Sequence, residues 1–273
     1  MRLEFLSLAT KTALAVPVTM VAVALVDWPM IWVPPLVFGI VCLVAPFCYR
    51  HGFFLPIVAR GQKDSGAVAL TFDDGPDPVS TPVLLSLLAA HGMQATFFVV
   101  GRRVRRYPEL VRAMVHQGHT LGNHSFNHDS FQAFKRSRNL FDDIAATQDE
   151  LRRLGVVPCV FRPPVGITYP GMGPVLSALG LTAVTFSCRA GDRGNRSIQH
   201  LSHRILKKAA PGDIIMLHDL APAEKDLARW SAEVDAVFTG LKARALAVRP
   251  LGDLIGRPID IRPGKEERSV SEH

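Results

Sequence analysis

The sequence predicts an α/β domain built from parallel strands with helices packed outside them, preceded by two apolar helices. From Ala67 onward, short apolar runs alternate with amphipathic runs of helical spacing, and this alternation is typical of parallel strands joined by helical crossovers. Before residue 50, two long runs lack charged side chains. The chain has 273 residues, of which 48% are hydrophobic and 20% are charged. This composition excludes a disordered chain, and the length suits one large domain with an appendage.

Residues 1–50 are predicted to form a helical membrane hairpin. Residues 12–26 carry no charge, and a second apolar run at 29–49 follows Asp27 and Trp28. A helix needs about 20 residues to cross the hydrocarbon core, so the second run is long enough and the first is marginal. Prolines in both runs leave a shallow re-entrant hairpin as an alternative. A cleaved signal peptide and a buried pair of core helices are weaker alternatives, because the apolar runs are continuous and no cleavage site separates them.

The charges beside the hairpin predict its orientation. Positive side chains stay on the cytoplasmic side of a bacterial inner membrane, and the turn between the two runs carries only Asp27. Both ends of the hairpin, and the whole remainder of the chain, are therefore expected in the cytoplasm. The flanking cations are Arg2 and Lys11 before the hairpin and Arg50, Arg60 and Lys63 after it.

The alternating pattern covers residues 65–255, which are predicted to be one domain. Its first helix shows the boundary signals, since Ser80 and Thr81 precede a proline in the first turn and Gly92 ends the run. The pattern fits either an open sheet or a barrel. Residues 262–273 are predicted to be a charged, disordered tail. Strand-like runs lie at 67–72, 95–100, 157–161, 183–187 and 214–217, and helical runs lie at 82–91, 108–117, 140–154, 199–210 and 223–247.

Polar side chains follow the predicted strands. Functional groups of parallel α/β folds collect at the carboxyl ends of the strands, so these side chains are the candidates for chemistry. Asp73 and Asp74 directly follow the first strand, and two carboxylates there are costly unless they are paired or bound to a cation. His124 and His128 are four residues apart, which would put both on one face of a helical turn, at a spacing that suits one metal ion.

Three further strand ends carry polar groups. Arg162 stands before two prolines that fix its direction, and a guanidinium so placed suits a carboxylate. Asp192 follows the strand at 183–187, and His218 ends the last strand, where an imidazole suits proton transfer. Each motif alone also has an ordinary explanation, such as an Asp-Gly turn or a pair of surface histidines. Their order along five successive strand ends favours a functional site.

In this order the motifs resemble those of the polysaccharide deacetylase family, the carbohydrate esterases of family 4 with a NodB homology domain. The resemblance covers about residues 65–255, the predicted catalytic domain. It implies a distorted (β/α) barrel, usually with fewer than eight strands, and metal-dependent removal of acetyl groups from N-acetylated sugars. The matching segments are TFDDGP at 71–76, HSFNH at 124–128, RPPVG at 162–166 and LHD at 217–219.

The resemblance also implies which residues hold a metal and activate water. Asp74, His124 and His128 would bind a divalent metal, with zinc as the first expectation and cobalt as the second. One carboxylate and two imidazoles leave positions open for water and for the carbonyl oxygen of the substrate. Asp73 would be the general base, and Arg162 would orient it and keep it ionised.

The remaining matches concern proton transfer and substrate binding. His218 would be the general acid that protonates the departing amine, and Asp192 would tune it. A backbone N–H near Pro164 and Val165 would stabilise the oxyanion. Two positions depart from the family pattern, because Val165 stands where tyrosine is usual and Arg193 replaces a tryptophan that usually walls the acetyl pocket. The metal centre is retained, whereas the sugar specificity is expected to differ.

Arginines are predicted to bind an anionic part of the substrate. Arg189 and Arg193 lie at the expected mouth of the site, where they would contact a phosphate or a carboxylate. A second cluster at residues 102–106 follows the strand at 95–100 on the same end of the barrel. A solvated basic face is the ordinary alternative. The chain carries a net charge of +7, mostly outside the hairpin, so a lipid diphosphate-linked sugar or an anionic bilayer suits it as a partner.

These observations predict a membrane-anchored, metal-dependent deacetylase of an N-acetylated amino sugar, in a cell-envelope glycan or a lipid-linked sugar. Membrane lipid is the second expected partner. One alternative is a hydrolase of the same fold that acts on a non-sugar amide or imide. Another is a membrane scaffold without turnover, which the retained motifs disfavour. Nucleic acid is not expected as a partner, because the sequence has no helix-turn-helix, zinc finger or aromatic stacking motif.

Overall fold

The computed structural model describes residues 7–129 and 137–262 of the chain. Within them a parallel sheet curls into a distorted barrel with helices outside, which confirms the predicted fold class. Arg2 and the predicted charged tail after Arg262 lie outside the described residues. The strands are β1 (Ile57–Val58), β2 (Ala67–Asp73), β3 (Thr96–Val99), β4 (Thr120–Asn123), β5 (Val157–Pro158), β6 (Val160–Phe161), β7 (Thr182–Val184), β8 (Cys188–Arg189), β9 (Ile214–His218), β10 (Ala247–Val248) and β11 (Asp260–Ile261).

The main path of the sheet has the order β1-β7-β6-β4-β3-β2-β9-β8, with parallel neighbours. Only residues 185–187 separate β7 from β8 at the far edge, so the chain itself joins the two edges of the sheet. The N–H of Thr185 donates to the carbonyl of Val58 at 2.9 Å, while the N–H of Ser187 donates to that of Ile214 at 3.1 Å. Counted as one bent strand, β7 and β8 leave seven strands around the barrel, as the resemblance implies.

Strand β2 lies at the centre of the sheet between β3 and β9, and all its residues are buried. A parallel strand covered on both faces needs apolar side chains on both, which explains why this run shows no polar alternation. The register pairs Asp73 with Phe98 of β3 and with His218 of β9. The carboxyl ends of β2 and β9 are therefore level, and their polar residues meet at one end of the barrel.

Helices cover the outside of the barrel, and most of them match the predicted runs. Gly92 ends the first barrel helix with a φ of 63°, a conformation that glycine adopts without strain. The predicted strand at 157–161 is divided into β5 and β6 after Pro158, which has no N–H to donate to a ladder. The helices are α1 (Leu8–Val26), α2 (Val33–Val44), α3 (Ser80–His91), α4 (Gly101–Arg106), α5 (Pro108–His116), α6 (Ser137–Arg152), α7 (Met172–Ala178), α8 (Leu201–Leu206), α9 (Leu227–Ala243) and α10 (Leu251–Ile255).

The predicted N-terminal pair of apolar helices is present. The segments Leu8–Val26 and Trp28–Phe47 are each long and apolar enough to cross a membrane, by length and composition, and 0% and 6% of them are buried. At the base of this hairpin the N–H of Ala9 donates to the carbonyl of Phe53 at 2.9 Å. Phe53 is itself buried in one apolar cluster with Met172 of α7. The hairpin is thus packed on the barrel at its base, while most of its large apolar side chains are exposed.

We predict that a side chain at Gly122 of β4 destabilises the barrel. An added Cβ would lie 2.5 Å from the Phe98 ring and 3.1 Å from the Val160 side chain, and overpacking of this kind costs about 1–3 kcal/mol. Urea unfolding of the full chain in detergent should give a lower free energy of unfolding for Gly122→Ala by about that amount.

Gly173→Ala is the matched control for this prediction. Its Cβ would meet Leu55 at 3.5 Å, an ordinary contact, in a helix where alanine is favoured over glycine. The control should therefore unfold at the same or a slightly higher urea concentration than the parent chain. Equal free energies of unfolding for Gly122→Ala and Gly173→Ala would contradict the packing described here.

Candidate active site

A cleft of about 640 Å³ opens at the carboxyl ends of the barrel strands. Most of the predicted site residues line it, as the strand-end argument requires. Arg162 is fully buried behind the cleft, and Pro164 is also buried. The predicted residues that line the cleft are Asp73, Asp74, His124, His128, Val165, Arg189, Asp192, Arg193 and His218.

Asp74, His124 and His128 converge on one point of the cleft. One donor atom of each residue lies within 4.8 Å of the other two. Oδ1 of Asp74 is 2.9 Å from Nε2 of His128 and 3.4 Å from Nε2 of His124. This oxygen is buried, yet within the described part of the chain it accepts no hydrogen bond. A carboxylate oxygen and two imidazole nitrogens aimed at a common point fit a divalent metal.

The two histidines reach this point through a loop, and the predicted helical turn is wrong. Strand β4 ends at Asn123, and Ser125 and His128 then adopt left-handed φ angles of 64° and 52°. The carboxylate of Asp143 on α6 accepts the N–H of Phe126 at 3.0 Å and so holds the loop from outside. The spacing of four residues brings the rings together through these turns, not through helical periodicity.

Contacts around Asp74, His124 and His128 determine their protonation. Nδ1 of His124 lies 2.7 Å from the carbonyl oxygen of Arg162, so Nδ1 carries the hydrogen and Nε2 is left as the donor atom for a metal. Burial raises the pKa of Asp74, but the two imidazoles outweigh it and lower this pKa well below its usual range. Burial lowers the pKa of His128, whereas Asp74 raises it above its usual value. Asp74 is therefore ionised at neutral pH.

Asp73 forms a buried ion pair with Arg162. Nη1 of Arg162 donates to Oδ1 of Asp73 at 2.6 Å, and the arginine is fully excluded from solvent. The same guanidinium donates to the hydroxyl of Thr71 and to the carbonyl of Thr185, each at 2.8 Å. Its carbon lies 3.9 Å from the centre of the Phe98 ring. These contacts fix the guanidinium, which in turn fixes the direction of the Asp73 carboxylate.

His218, on the strand next to that of Asp73, is paired with Asp192. Oδ2 of Asp192, which is fully buried, lies 2.8 Å from Nδ1 of His218. Burial lowers the pKa of His218, but the hydrogen bond and the charge of Asp192, with smaller contributions from Asp74 and Asp73, raise it to about 9. At neutral pH the imidazole is therefore protonated and can supply a proton to a leaving group.

Two strained loop residues border the cleft at the positions where the family usually has aromatic rings. Val165 has a φ of 53° and is 52% exposed, and Arg193 has a φ of 54°. Such residues persist only where surrounding contacts hold them. The loop that carries Arg193 is held by Asn195, two residues further on. Nδ2 of Asn195 donates to the carbonyl of His218 at 3.0 Å and to that of Leu220 at 2.7 Å. Both positions are thus held at the cleft, and neither carries a ring.

The arginines of α4 fall into two groups. Arg102 and Arg103 line the cleft, and Arg103 is paired with Asp77 at 3.0 Å. Arg105 does not line it and instead pairs with Glu150 at 2.8 Å. The prediction that this cluster binds an anionic part of the substrate therefore concerns Arg102 and Arg103. Arg105 fits the alternative, a solvated basic face.

Sequence reasoning missed Asp219, which holds the loop after β2. Asp219 is fully buried and accepts hydrogen bonds from the hydroxyls of Ser80 at 2.7 Å and Thr81 at 2.6 Å. Its own N–H donates to the carbonyl of Asp73 at 2.7 Å. Burial raises the pKa of Asp219 to about 7, although the two hydroxyls oppose the shift. The signal was present in the LHD segment, but Ser80 and Thr81 were interpreted only as the start of a helix.

Known deacetylases are similar to this chain over most of its length. A family model described as polysaccharide deacetylase matches residues 60–184. A chitooligosaccharide deacetylase of Azorhizobium caulinodans is 33% identical over 205 residues, which are 71% of this chain and 96% of the relative. A peptidoglycan-N-acetylglucosamine deacetylase of Bacillus cereus is 35% identical over 154 residues, which are 56% of this chain and 72% of the relative.

The fold is likewise similar to that of a solved deacetylase. The crystal structure of the Bc1960 peptidoglycan N-acetylglucosamine deacetylase matches with a TM-score of 0.68 at 27% identity, over 74% of this chain and 94% of that chain. The chain therefore belongs to the polysaccharide deacetylase family, whose members are hydrolases of carbon–nitrogen bonds other than peptide bonds.

Proposed function

We propose that this protein is a metal-dependent deacetylase that hydrolyses the N-acetyl group of an amino sugar in a cell-envelope glycan or a lipid-linked sugar. One observation carries the proposal: the metal-type cluster of Asp74, His124 and His128 shares a cleft with the ion-paired Asp73 and the protonated His218. A base, an acid and a cation site around one space are the groups that amide hydrolysis needs.

Asp74, His124 and His128 are the residues that would hold the metal. Zinc is the first expectation and cobalt the second, because both accept imidazole and carboxylate ligands in open sites. A divalent cation bound there supplies Lewis acidity toward an acetamide oxygen and lowers the pKa of a bound water. The hydrogen bond from Nδ1 of His124 to the carbonyl of Arg162 keeps that ring in the orientation and tautomer required.

Asp73 acts as the general base on the attacking water. Its carboxylate lines the cleft, and the ion pair with Arg162 fixes its direction. Arg162 is a positioning residue, since it is buried behind Asp73 and does not border the cleft. The N–H near Pro164 and Val165 would donate to the oxyanion that forms on the acetyl carbon, at the strained turn beside the cleft.

His218 is the general acid for the leaving amine. An amine departs poorly as an anion, so breakage of the C–N bond requires a proton from a group that holds one at neutral pH. The raised pKa of His218, about 9, meets this requirement, and Asp192 is the main favourable cause. Asp192 is therefore a positioning residue that sets the charge and the orientation of His218.

The substrate class is proposed from the relatives and from the hairpin. The relatives bear the names chitooligosaccharide deacetylase and peptidoglycan-N-acetylglucosamine deacetylase, so an N-acetylglucosamine-containing glycan is the first expectation. The two exposed apolar helices support a membrane anchor, with membrane lipid as a partner. We propose that the anchor lies in a bacterial-type inner membrane with the catalytic domain on the cytoplasmic side, where Arg50, Arg60 and Lys63 follow the hairpin.

We expect the full chain, purified in detergent and loaded with Zn²⁺ or Co²⁺, to release acetate from N-acetylated sugars. A chelator should abolish this activity, and added metal should restore it. Asp73→Asn should lower kcat/KM by roughly 10²- to 10⁴-fold, because the general base is lost, while the bound metal measured by mass spectrometry is retained.

Asp253→Asn is the control for this change. It removes an exposed carboxylate on α10, outside the cleft, and should leave the rate unchanged. Small imides assayed beside chitooligosaccharides distinguish the alternative substrate class. An unchanged rate for Asp73→Asn would contradict the assigned base, and no acetate from any N-acetyl sugar would contradict the proposed function.

The pH profile should report the pair of His218 and Asp192. Because the pKa of His218 is raised to about 9, its protonated fraction, and with it kcat/KM, falls as the pH rises through that value. Asp192→Asn removes the group that contributes most to raising the pKa of His218. The alkaline limb of the kcat/KM profile should therefore move to lower pH by about one unit or more. Asp235→Asn removes a carboxylate that lies 2.8 Å from His91 and should leave the limb in place. An unmoved limb in Asp192→Asn would exclude His218 as the acid.

The membrane anchor predicts that the full chain stays with bacterial membranes after a carbonate wash. Leu14→Arg combined with Ile40→Arg should release it, because arginine at the centre of a span costs about 2.5–3.5 kcal/mol, whereas Val79→Arg outside the hairpin should not. Protease should digest the catalytic domain in inside-out vesicles and spare it in intact spheroplasts. A shortened N-terminus by mass spectrometry would identify a signal sequence and contradict the anchor.

A further inference from the structure

The lining of the cleft carries positive charge that the proposed deacetylation does not use. The cleft is lined by five arginines, of which Arg103 is paired with Asp77 at 3.0 Å. Among residues 7–129 and 137–262, the other four make no ion pair with a carboxylate. We call these four the arginine wall: Arg102, Arg189, Arg193 and Arg196.

The acidic groups of the cleft do not neutralise the arginine wall. Asp73 is paired with Arg162 at 2.6 Å, and Asp192 is paired with His218 at 2.8 Å. Asp74 faces two imidazoles and fits a divalent cation. The four positive charges are therefore in excess within a concave site, where they raise the local concentration of an anion.

The guanidinium of Arg189 lies over two aromatic rings. Its carbon lies 4.7 Å from the centre of the Tyr49 ring and 5.6 Å from that of Phe186, and the two rings are 4.6 Å apart. Stacking uses the face of a guanidinium and leaves its N–H groups, which lie in the plane, to donate to a ligand. Arg189 is thus positioned before any ligand binds.

Arg193 is positioned through its backbone. Its left-handed φ lies between Gly191 and Gly194, which have φ angles of 70° and 67°. The N–H of Ser197 donates to the carbonyl of Asp192 at 2.9 Å, and Asn195 bonds the strand end at His218. An arginine thus occupies the position where the family pattern has a tryptophan, on a loop that is anchored to the catalytic acid.

The chemistry of the arginine wall suits a phosphoryl group. Guanidinium groups donate paired N–H bonds that match phosphate oxygens, and several of them around one cleft match the multiple charges of a diphosphate. A neutral glycan offers no anion to this wall. At Val165 and Arg193 the cleft also lacks the rings on which a sugar would stack.

The arginine wall lies next to the base of the hairpin. Tyr49, which stacks with Arg189, comes two residues after Phe47, where the second apolar span ends. The N–H of Thr168, just beyond the RPPVG turn, donates to the carbonyl of Pro46 at 3.4 Å. If the hairpin is inserted as proposed above, the wall lies at the level of the lipid phosphates.

We propose that the arginine wall binds a phosphoryl group that is attached to the N-acetylated amino sugar of the substrate. This inference rests on the proposed function and specifies its substrate class. The phosphoryl group belongs either to a lipid carrier or to a soluble sugar phosphate, and the position of the wall beside the hairpin favours the lipid carrier. The sugar then reaches the metal-type cluster while its phosphate stays on the arginines.

The test compares three probes on the full chain in detergent. They are N-acetylglucosaminyl diphosphofarnesol, N-acetylglucosamine 1-phosphate and the neutral methyl N-acetylglucosaminide. We expect the KM of the two phosphoryl probes to be at least about tenfold below that of the neutral glycoside, as charge-assisted hydrogen bonds allow. The measured quantity is the ratio of the KM of the neutral glycoside to the KM of a phosphoryl probe. Arg189→Gln combined with Arg193→Gln should reduce this ratio by at least about tenfold. Lysine at both positions should retain part of it.

Arg152→Gln is the matched control, because Arg152 lies on α6 outside the cleft and pairs with Asp149 at 2.9 Å. It should leave the ratio unchanged. A lower KM for the farnesyl probe than for the soluble phosphate assigns the phosphoryl group to a lipid, and equal values assign it to a soluble sugar phosphate. An unchanged ratio in the double glutamine variant would overturn the proposal.

Binding to the Asp73→Asn chain separates this proposal from the proposed function. That variant is expected to turn over at least roughly 100-fold more slowly, so the Kd of N-acetylglucosamine 1-phosphate can be measured on it directly. Adding Arg189→Gln and Arg193→Gln to this variant should raise the Kd at least about tenfold. If the parent chain releases no acetate from any probe, the proposed function fails, while the Kd values still decide the phosphoryl site. Equal Kd values with and without Arg189 and Arg193 would overturn it.

Discussion

Arg162 lies fully buried at the end of β6, and its guanidinium joins three parts of the barrel at once. It donates to Asp73 at the end of β2 and to the carbonyl of Thr185, where the chain crosses from β7 to β8. Removing one partner of such a buried pair costs about 3–5 kcal/mol, because the other charge is left uncompensated. The position of the connection between β7 and β8 and the direction of the Asp73 carboxylate therefore depend on the same guanidinium. The carbonyl of Arg162 also orients His124, so this residue reaches the metal-type cluster as well.

The hairpin contacts this same region of the barrel. The hydroxyl of Thr185 donates to the carbonyl of Tyr49 at 2.6 Å, and the Tyr49 ring packs against Phe186. Thr185 and Phe186 belong to the short connection between β7 and β8, and the carbonyl of Thr185 accepts the hydrogen bond from Arg162. The last residues of the N-terminal segment are thus packed on the barrel itself, against Thr185 and Phe186. Substrate specificity and attachment to the membrane would then be set by one continuous surface.

Much of the site could be predicted because parallel strands bring their carboxyl ends together. Asp73, Asp74 and His218 were expected at strand ends, and the register of β2 with β9 places them there. The helical turn assigned to His124 and His128 was wrong, since sequence spacing cannot distinguish a helix from a loop whose φ angles are set by distant contacts. That loop is held by Asp143, which is 17 residues from Phe126 in the chain. The sequence also could not show which arginines of α4 face the cleft, because their ion pairs depend on where Asp77 and Glu150 lie in the folded chain.

The sequence by itself determined the alternation of strands and helices, the apolar hairpin and the residue types at each strand end. These features follow from local periodicity and from the cost of placing charge beside apolar strands. Only the tertiary structure decided the ion pairs that no motif implied. It paired Arg103 with Asp77 and Arg105 with Glu150. Among residues 7–129 and 137–262 it left Arg189 and Arg193 without a carboxylate partner, and it placed Arg189 beside Tyr49. Ion pairing depends on distances between residues far apart in the chain, and only the folded barrel sets those distances.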